Sequence, residues 1–473
     1  MLINRCNDLT NFRTTLRYSK FDMTRRTFLS SIAFTAVAQP VPARPNIVFI
    51  LLDDLGYGDF GCYGQTKIKT PHADGLAAEG MRFTDCYAGG TVCAPSRSVL
   101  MSGLHNGHAA IRANAGTAPI AASDITLIER LRDAGYRTGG FGKWGLGDKG
   151  TSGDPMKHGF HEFVGYYHQI HAHSYFPEFL WDSGKRWDLP GNADGKKQQY
   201  SADLIAERSY QFLSKSKGVP FFLYATYTLP HAEFEIPSDA PYSDEPWPQG
   251  AKTYAAMVTK ADSYIGRLVH LLKELQLAHK TIVFVASDNG GPGGADKGFE
   301  LFHSNGLLRG EKGGFYEGGI RVPMIVRWPG HVKAGSTSRL PWTFADILPT
   351  LLEIAGAPAV AGIDGLSVLP TLIGKGKQPQ HEYLYWEIHN WNQKEGGLRK
   401  GSMKQAVRAG DWKAIRNREG GPVELYDLAK DPSEKKDLSA EMPEVVKRME
   451  RILKEAHAEP RSHAGGTSNW VER

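Results

Sequence analysis

The sequence predicts an α/β protein with a large, mostly parallel sheet flanked by helices, followed by a smaller C-terminal α+β subdomain built on an antiparallel sheet. Three observations predict it: continuous apolar runs rich in β-branched residues, amphipathic stretches between those runs, and a change of pattern near residue 375. Continuous apolar runs are typical of strands that are buried on both faces, as in parallel sheets. Strands that alternate with helices indicate an open α/β sheet, whose ligands bind beyond the carboxyl ends of the strands.

The elements of the main sheet follow from these patterns. Apolar runs predict strands at 46–52, 221–224, 281–286 and 324–326. Apolar residues at helical spacing predict helices over 126–134 and 254–277. Four leucines of the second helix are expected to face the core: Leu268, Leu271, Leu272 and Leu275.

The C-terminal part has a different pattern. Short alternating stretches broken by Gly and Asp predict an antiparallel sheet with strands at 382–388, 405–408, 412–416 and 423–426. A helix is predicted over 443–457. The predicted organisation is therefore a leader at 1–38, an α/β domain at 39–374, an α+β subdomain at 375–460 and a loose tail at 461–473.

The leader has the pattern of an export signal. Arg25 and Arg26 stand in a twin-arginine-like context, a short apolar run covers 28–38, and a small-x-small cleavage site precedes Gln39. The run is far shorter than the roughly 20 residues that span a bilayer. A basic terminus that contains an Arg pair by chance is the alternative. We expect an exported, periplasmic or secreted bacterial protein that uses the twin-arginine export machinery and has no membrane span in the mature chain.

Charge and cysteine content exclude several classes of protein. Much of the formal net charge of +5 lies in the leader, so the charge gives no indication of a nucleic-acid partner. The four cysteines are too few for a disulfide scaffold and lack the spacing of a structural zinc site. A bridge between Cys62 and Cys86 stays open, and it would leave Cys93 unpaired.

Acidic residues follow the two strongest strand predictions. Asp53 and Asp54 come directly after the first strand, and Asp288 and Asn289 follow the second. Oxygen ligands at adjacent strand ends suit a hard cation such as Ca²⁺ or Mg²⁺. Either pair alone is also ordinary turn chemistry. Two pairs at the same edge of a parallel sheet favour a metal site.

Cys93 begins a short segment with the features of a helix. Pro95 is placed for the first helical turn, and Gly103 is placed to end the helix. Cys93 would then stand at a helix N-terminus, where backbone N–H groups favour anions, with the positive charge of Arg97 one turn on. The interpretations left open are a nucleophilic cysteine and an inert, buried one.

The segment from Cys93 through Pro95, Ser96 and Arg97 to Gly103 resembles the signature of the formylglycine-dependent (type I) sulfatases, in the alkaline phosphatase superfamily. The resemblance runs from about Pro45 to Leu438. It includes the segments 46–58, 142–144, 230–231, 287–290, 310–313 and 424–428. It implies an alkaline-phosphatase-like fold and a sulfuric ester hydrolase.

The resemblance also implies the cofactors. Cys93 would be oxidised to formylglycine by a formylglycine-generating maturation enzyme, and the hydrated aldehyde would be the nucleophile. A metal ion, Ca²⁺ in preference to Mg²⁺, would be bound by Asp53, Asp54, Asp288 and Asn289. A divalent cation at that position stabilises negative charge on the nucleophile and on the sulfate.

Four further residues match family positions. Arg97, Lys143 and Lys312 correspond to the cations that stabilise the sulfate and the aldehyde, and His231 corresponds to the acid that reaches the leaving-group oxygen. By residue type alone, either lysine would be a solvated surface group and the histidine a structural or exposed one.

One position departs from the pattern. Many family members have a histidine two residues after the lysine, where this chain has Gly145. His171 and His173 lie in a loop that resembles a segment of bacterial sulfatases with the same Lys-Trp-Gly variant, and they are candidates for substrate contact or proton transfer. A metal site at a strand edge or a solvated loop is the alternative.

The sequence therefore predicts a sulfatase that hydrolyses O-sulfate esters of a carbohydrate or an aryl alcohol. Loop resemblance to bacterial arylsulfatase and N-acetylgalactosamine-6-sulfatase-like members suggests galactose-type or N-acetylgalactosamine-type sulfates. Aromatic side chains expected near the pocket suit stacking on sugar rings, although core packing explains many of them equally well. They are Tyr166, Tyr167, Tyr175, Phe176, Trp181, Trp187 and Trp247. The alternatives are a phosphonate or phosphate ester hydrolase of the same superfamily and a non-catalytic protein that binds sulfated glycans.

Overall fold

A mixed sheet of ten strands forms the centre of the molecule. The computed structural model describes residues 44–114, 118–293, 299–392, 394 and 396–460. The predicted leader at 1–38 and tail at 461–473 lie outside the described residues.

The strands of the described residues fall into one large sheet and three small ones. In chain order they are β1 (Asn46–Leu52), β2 (Met81–Phe83), β3 (Cys86–Tyr87), β4 (Arg137–Lys143), β5 (Glu162–Tyr166), β6 (Phe179–Asp182), β7 (Lys185–Asp188), β8 (Phe221–Tyr227), β9 (Thr281–Ser287), β10 (Met324–Arg327), β11 (Ser336–Ser338), β12 (Trp342–Thr343), β13 (Leu384–Ile388), β14 (Trp391–Asn392), β15 (Gly397–Leu398), β16 (Lys404–Ala409), β17 (Trp412–Arg416) and β18 (Glu424–Asp427).

The α-helices lie between these strands and after the last one. They are α1 (Pro71–Ala78), α2 (Cys93–Ser102), α3 (Leu127–Asp133), α4 (Ser201–Lys215), α5 (Gln249–Glu274), α6 (Glu317–Ile320), α7 (Ile347–Ala355), α8 (Leu369–Ile373) and α9 (Pro443–Glu455).

The large sheet has the strand order β11-β2-β10-β9-β1-β8-β4-β5-β6-β7. Its five central strands, from β9 to β5, run parallel to one another. Strand β10 runs antiparallel to β9 and β2, and the β6–β7 hairpin adds an antiparallel edge on the other side. The prediction of a mostly parallel sheet in an α/β fold is confirmed.

The side chains of strand β1 contribute to an apolar cluster on each face of this sheet. Every residue of β1 is buried. Ile47, Phe49 and Leu51 pack into one apolar cluster, whereas Val48 and Ile50, which point to the opposite face, pack into another. Alternate side chains of a strand point to opposite faces, so a continuous apolar run is needed where helices cover both.

Two helices predicted from periodicity are present with small changes at their ends. Helix α3 begins after Thr126, whose side chain accepts a hydrogen bond from the Glu129 backbone in a capping box. Helix α5 begins earlier than predicted and ends at Glu274. Of its four expected core leucines, Leu268, Leu271 and Leu272 are buried in the helix and Leu275 caps it.

The C-terminal strands form the predicted antiparallel sheet, in the order β13-β16-β17-β18. Helix α9 packs on one face, where Met449 and Leu453 join Val407 and Leu425 in an apolar cluster. The other face of this sheet packs against residues from earlier in the same chain, such as Phe315. The subdomain boundary at 374 stays a prediction, since this sheet belongs to the same compact unit as the main sheet.

Two further features bear on the sequence predictions. Cys62, Cys86 and Cys93 are all free thiols, so the open question of a Cys62–Cys86 bridge is answered in the negative for this structure. Within the described residues, none of the helices has the length and apolar character that a bilayer crossing requires.

Candidate active site

The predicted metal ligands meet at the carboxyl ends of β1 and β9. These strands pair in parallel register, with Leu52 opposite Ser287. The Asp288 N–H donates to the Leu52 carbonyl (3.0 Å), and the Asp54 N–H donates to Asp288 Oδ1 (3.2 Å). Asp54 has a φ of 62°, a left-handed conformation that Asp tolerates better than most residues. The structure thus brings the two acidic pairs together.

Asn289 completes this group of oxygen ligands. Its Nδ2 donates to Asp54 Oδ1 (2.8 Å) and to the Gly290 carbonyl (2.9 Å). Its Oδ1 is buried without a hydrogen-bond partner among the described residues. A buried carbonyl oxygen without a partner is costly unless a ligand satisfies it. Three carboxylates and one free amide oxygen fit a hard divalent cation.

Cys93 is the first residue of α2 and lies against this group. Its Sγ is 3.5 Å from Asp53 Oδ1, and the residue is buried. Burial, together with the negative charge of Asp53, raises the pKa of the thiol to about 12. Because the thiolate is the reactive form, the unmodified thiol is a poor nucleophile at neutral pH.

Arg97, one turn further along α2, links two of the carboxylates. Its guanidinium donates to Asp288 Oδ2 through Nε (3.0 Å) and Nη2 (2.8 Å), and Nη2 also lies 3.3 Å from Asp53 Oδ2. Nη1 donates to the Lys143 carbonyl (2.7 Å) and to Thr226 Oγ1. All three charged side chains are fully buried. The guanidinium therefore fixes the relative position of Asp53 and Asp288.

Lys143 stands at the end of β4, next to the end of β8. Its Nζ lies 2.7 Å from Asp53 Oδ2. Thr226 Oγ1 of β8 donates to the Lys143 carbonyl (3.0 Å) and accepts from Arg97, so this threonine joins the two cations. Thr226 was not among the site residues predicted from the sequence. In the sequence, Thr226 is marked only by its position after the apolar run that predicted β8.

The carboxylates differ in their electrostatics. Burial raises the pKa of Asp53, but Lys143, His231 and Arg97 outweigh that effect and hold the pKa well below its usual range. Burial and the nearby negative charge of Asp53 raise the pKa of Asp288 to about 6. Such opposite shifts are typical of closely spaced carboxylates with unequal shares of the surrounding positive charge.

Lys312 and His231 form the other side of the cluster. Lys312 Nζ lies 2.7 Å from Asp54 Oδ2 and 3.2 Å from His231 Nε2. A protonated lysine has only donors, so Nε2 accepts this hydrogen bond, and Nδ1 carries the ring hydrogen toward the Ala232 carbonyl. Burial lowers the pKa of His231. The Lys312 side chain is 22% exposed, whereas Lys143 is fully enclosed, so solvent reaches the cluster from the Lys312 side.

The two loop histidines lie in different surroundings. His173 keeps part of its surface exposed to solvent, and its partly shielded ring contacts the ring of His231, with centroids 4.7 Å apart. Burial and the positive charges of His231 and Lys143 lower the pKa of His173 to about 4. His171 is buried, its Nε2 is 2.9 Å from the Phe179 carbonyl, and its ring packs against Tyr166. His173 therefore contacts the cluster, whereas the contacts given for His171 are with Phe179 and Tyr166.

Gly145, the departure from the family pattern, occupies a restricted position. Its φ is 75°, and a Cβ there would lie 2.8 Å from Gln169 Nε2. Gln169 is itself buried, and its Oε1 has no hydrogen-bond partner among the described residues. The side chain of Gln169 therefore fills the space beside Gly145, a contact for which the sequence offered no signal.

The expected pocket aromatics are partly core residues. Tyr166, Tyr167 and Tyr175 are buried in the two apolar clusters of the main sheet. Tyr175 also positions the site, because its hydroxyl donates to the carbonyls of Thr228 (2.8 Å) and His231 (2.9 Å). Tyr175 therefore supports the loop that carries His231.

Comparison with known families covers nearly all of the described chain. The family model described as Sulfatase matches residues 45–357. The model described as N-sulphoglucosamine sulphohydrolase, C-terminal, matches residues 310–459. The first match spans the acidic strand ends, Cys93 and Lys312, and the second contains the C-terminal antiparallel sheet.

Curated relatives and solved structures agree with these matches. Human Arylsulfatase A is 31% identical over 90% of this chain and 90% of its own length. The N-acetylgalactosamine-6-O-sulfatase of Bacteroides thetaiotaomicron is 28% identical over 87% of this chain and 92% of its own. The crystal structure of Ps i-CgsB in complex with k-i-k-neocarrahexaose is 30% identical, with a TM-score of 0.78 over 89% of this chain and 94% of that one. On these similarities the chain belongs to the formylglycine-dependent sulfatase family of the alkaline phosphatase superfamily and is a sulfuric ester hydrolase.

Proposed function

We propose that this sulfatase hydrolyses O-sulfate esters of carbohydrates, using a formylglycine made from Cys93 and a Ca²⁺ ion. One observation carries the proposal: Cys93 Sγ lies 3.5 Å from Asp53 Oδ1, so residue 93 and the oxygen ligands share one carboxylate. A group at position 93 and a cation among these oxygens would then act on the same sulfate.

The chain's own residues would hold the cation through Asp53, Asp54, Asp288 and Asn289. Arg97, Lys143 and Lys312 already contact the three carboxylates, so the side chains roughly balance in charge. A bound divalent cation would give the site a net positive charge, which attracts an anionic ester, and would polarise a sulfate oxygen. Its all-oxygen ligand set favours Ca²⁺ over softer metals.

The hydrated aldehyde of formylglycine supplies a nucleophilic oxygen and a second hydroxyl that allows sulfate release. We assign different roles to the three cationic side chains around residue 93. The donors of Arg97 are directed at Asp53, Asp288, Thr226 and the Lys143 carbonyl, so we assign it to positioning the metal ligands. Lys143 forms an ion pair with Asp53, and Lys312 forms one with Asp54. Both ammonium groups would stabilise negative charge on residue 93 and on the sulfate.

The pair of His231 and Lys312 would protonate the leaving alcohol. His231 Nε2 lies 3.2 Å from Lys312 Nζ, on the solvent-accessible side of the cluster. The Lys312 ammonium and, once Nε2 carries a proton, the His231 ring can each donate a proton to an oxygen that departs beside them. An alcohol of a sugar ring is a poor leaving group and needs such an acid.

Substrate contact is assigned to His173, whose partly shielded ring lies against His231. The buried His171 stays a weaker prediction, since its described contacts are with Phe179 and Tyr166. The bacterial relative named N-acetylgalactosamine-6-O-sulfatase and the neocarrahexaose-bound neighbour support a carbohydrate of the galactose type. Aryl sulfates would be surrogate substrates.

Maturation and export complete the proposal. We propose that a formylglycine-generating enzyme converts Cys93 before folding is complete, because the folded chain buries that residue. The twin-arginine pattern at 25–26 favours export of the folded protein to the periplasm or beyond.

The test compares matched esters on protein that was co-expressed with a maturation enzyme. Mass spectrometry of the peptide around Cys93 measures conversion, and rates are measured on 4-nitrophenyl sulfate, 4-nitrophenyl phosphate, a phenylphosphonate ester and a panel of sulfated galactose and N-acetylgalactosamine derivatives. We expect conversion, preference for sulfate, and activity that a chelator removes and Ca²⁺ restores.

The controls separate the alternatives. Cys93→Ala is expected to lose turnover by several orders of magnitude, whereas Cys62→Ala, at a cysteine outside the cluster, retains it. Preference for the phosphorus esters would favour the phosphonate or phosphate hydrolase. An unconverted thiol with retained binding of sulfated glycans would favour the non-catalytic binder.

A further inference from the structure

A second group of metal-ligand side chains lies at the far end of α2, the helix that begins with Cys93. It consists of His105, His108 and Asp364, which we call the histidine cluster. The Gly103 carbonyl accepts hydrogen bonds from the N–H groups of Asp364 and Gly365, both at 3.0 Å. The His105 N–H donates to Asp364 Oδ2 (2.9 Å). The cluster thus joins the loop after α2 to the loop before α8.

We propose that the histidine cluster is a binding site for a zinc-type divalent cation, coordinated by His105 Nε2, His108 Nδ1 and the Asp364 carboxylate. No role in sulfate ester hydrolysis requires these residues, so the inference is independent of the proposed function. Two imidazoles and one carboxylate are a ligand set that suits Zn²⁺, with water in a fourth position.

The distances fit such a site. His108 Nδ1 lies 3.0 Å from both carboxylate oxygens of Asp364, and His105 Nε2 lies 3.9 Å from Oδ1. One ligand atom from each of the three residues lies within 4.8 Å of the others. Two nitrogen or oxygen ligands of a tetrahedral zinc are about 3.3 Å apart, given bond lengths near 2.0–2.1 Å. The two rings are stacked, with centroids 4.2 Å apart and an interplanar angle of 25°. Closing onto a metal therefore requires one ring to rotate, in addition to side-chain shifts of the order of 1 Å.

His105 provides a second, independent observation. Its side chain is only 10% exposed, and its Nε2 is buried without a hydrogen-bond partner among the described residues. A buried ring nitrogen in that condition is costly, and a metal ion would satisfy it. Burial lowers the pKa of His105 to about 4, so the ring is neutral at pH 7, as coordination requires.

Coordination has a defined proton balance. His105 Nδ1 now accepts a hydrogen bond from the Gly107 N–H (3.1 Å), so the hydrogen of the neutral ring is on Nε2. Binding through Nε2 moves the ring hydrogen to Nδ1, so the buried Gly107 N–H loses this acceptor, which is a cost that the metal–ligand bonds must exceed. His108 Nδ1 likewise gives up its hydrogen. One neutral hydrogen bond contributes little compared with metal–ligand bonds.

A cavity gives solvent access to the cluster. His105 and Asp364 line a cavity of about 130 Å³, together with His381 and Tyr383. A water molecule occupies about 30 Å³ of liquid volume, so the cavity has room for the fourth ligand. His108 and Asp364 are partly exposed, which provides a route of entry for the ion.

The experiment uses tag-free, full-length Cys93→Ala protein with excess Ca²⁺, so that the active-site oxygens and thiol do not take up zinc. Zinc content after dialysis and zinc affinity by competition with a chelating dye are measured. We expect one zinc per chain that excess Ca²⁺ and Mg²⁺ do not displace. His105→Gln and Asp364→Asn are each expected to lower the affinity at least about tenfold.

His381→Gln is the matched control. His381 lines the same cavity, but its Nε2 is hydrogen-bonded to Asp346 (2.8 Å), so this variant is expected to bind zinc as its parent does. Circular dichroism establishes that each variant is folded. Absence of zinc from the parent, or equal affinity in all four proteins, would overturn the proposal.

Two measurements on the parent protein test the proposed site without the use of ligand variants. Co²⁺ in place of zinc is expected to give the visible absorption bands of a four-coordinate nitrogen–oxygen site. Hydrogen exchange is expected to accelerate at the Gly107 amide when the metal binds. A Co²⁺ spectrum of six-coordinate, aqueous type would contradict the assignment.

Discussion

Lys143 Nζ lies 2.7 Å from Asp53 Oδ2, and both side chains are completely shielded from solvent. A buried ion pair of this kind is weak support for stability as a whole, but removal of one partner leaves an isolated charge in a low-dielectric environment. Asp53 has a second contact with Arg97 at 3.3 Å, which is longer and shared with Asp288. Lys143 is therefore the principal counter-ion of Asp53.

Lys143→Ala is expected to lower the free energy of unfolding by about 3–5 kcal/mol, because it leaves Asp53 buried with only part of its compensation. Urea unfolding at pH 7 in the presence of a chelator measures the change. The double variant Lys143→Met with Asp53→Asn removes both charges and is expected to recover much of the loss. Lys447→Ala, at an exposed ion pair with Glu444, is the control and should change little. A double variant as unstable as Lys143→Ala, with no recovery, would contradict this account.

His231→Ala is expected to affect substrates according to their leaving groups. General acid catalysis contributes about 10²–10⁴-fold where the leaving group needs a proton. The loss in kcat/KM should be of that order for alkyl sulfates of sugars and much smaller for 4-nitrophenyl sulfate, whose phenolate departs without assistance. His270→Ala, at a surface histidine, serves as the control. Equal losses on both substrates would remove the acid role of His231.

Gly145 cannot simply be restored to the histidine of other family members. Its φ of 75° costs a residue with a Cβ roughly 1–2 kcal/mol, and that Cβ would approach Gln169 Nε2 to 2.8 Å. Gly145→Ala and Gly145→His are both expected to be less stable in thermal unfolding. Adding Gln169→Ala should relieve the steric contact but not the backbone cost. Full recovery in the double variants would mean that the backbone conformation contributes nothing.

Much of the site was predictable because its residues stand next to strong local patterns. Asp53 and Asp288 follow continuous apolar runs, and parallel strands bring their carboxyl ends to one edge of a sheet. Cys93 lies in a segment whose Pro95 and Gly103 define both ends of a short helix. The helix indeed runs from Cys93 to Ser102, and Gly103 adopts a φ of 71° at its end.

Other parts of the fold gave no usable sequence signal. Strand β4 contains three glycines, which hide its pattern, and close neighbours require all three; a Cβ on Gly142 would lie 1.8 Å from the Thr226 carbonyl oxygen. A Cβ on Gly139 would lie 2.6 Å from Phe212, and one on Gly140 would lie 2.4 Å from Phe163. These contacts come from distant parts of the chain, so the strand that positions Lys143 depends on tertiary packing. The same holds for Thr226, whose role depends on two cations that only the fold brings together.

We expect Glu387, which lies in the C-terminal sheet and outside the candidate active site, to make the free energy of unfolding depend on pH. Its carboxylate receives hydrogen bonds or ion pairs from Arg112 (2.9 Å), Tyr385 (2.8 Å), His389 (3.1 Å) and His457 (2.8 Å). Burial raises its pKa, but the hydrogen bond from His389 and the charge of Arg112 outweigh that effect and lower it to about 2. The folded state therefore binds a proton at this group less readily than the unfolded chain does.

The sign of the effect follows from that shift. Since the pKa of Glu387 in the folded state lies below its ordinary value of 4.5, its contribution is fully present above about pH 4.5 and is lost as the pH falls toward about 2. At 1.36 kcal/mol per unit, the contribution is about 3 kcal/mol. Glu387→Gln is expected to be less stable by about that amount at pH 7 and to have a flatter dependence of unfolding free energy between pH 4.5 and 2. Denaturant unfolding over this range measures both, with Glu444→Gln on the exposed face of α9 as the control. If the free energy of unfolding of the variant changed with pH as that of the parent does, protonation of Glu387 would not be coupled to folding. The four contacts would then contribute packing but no pH-dependent stabilisation.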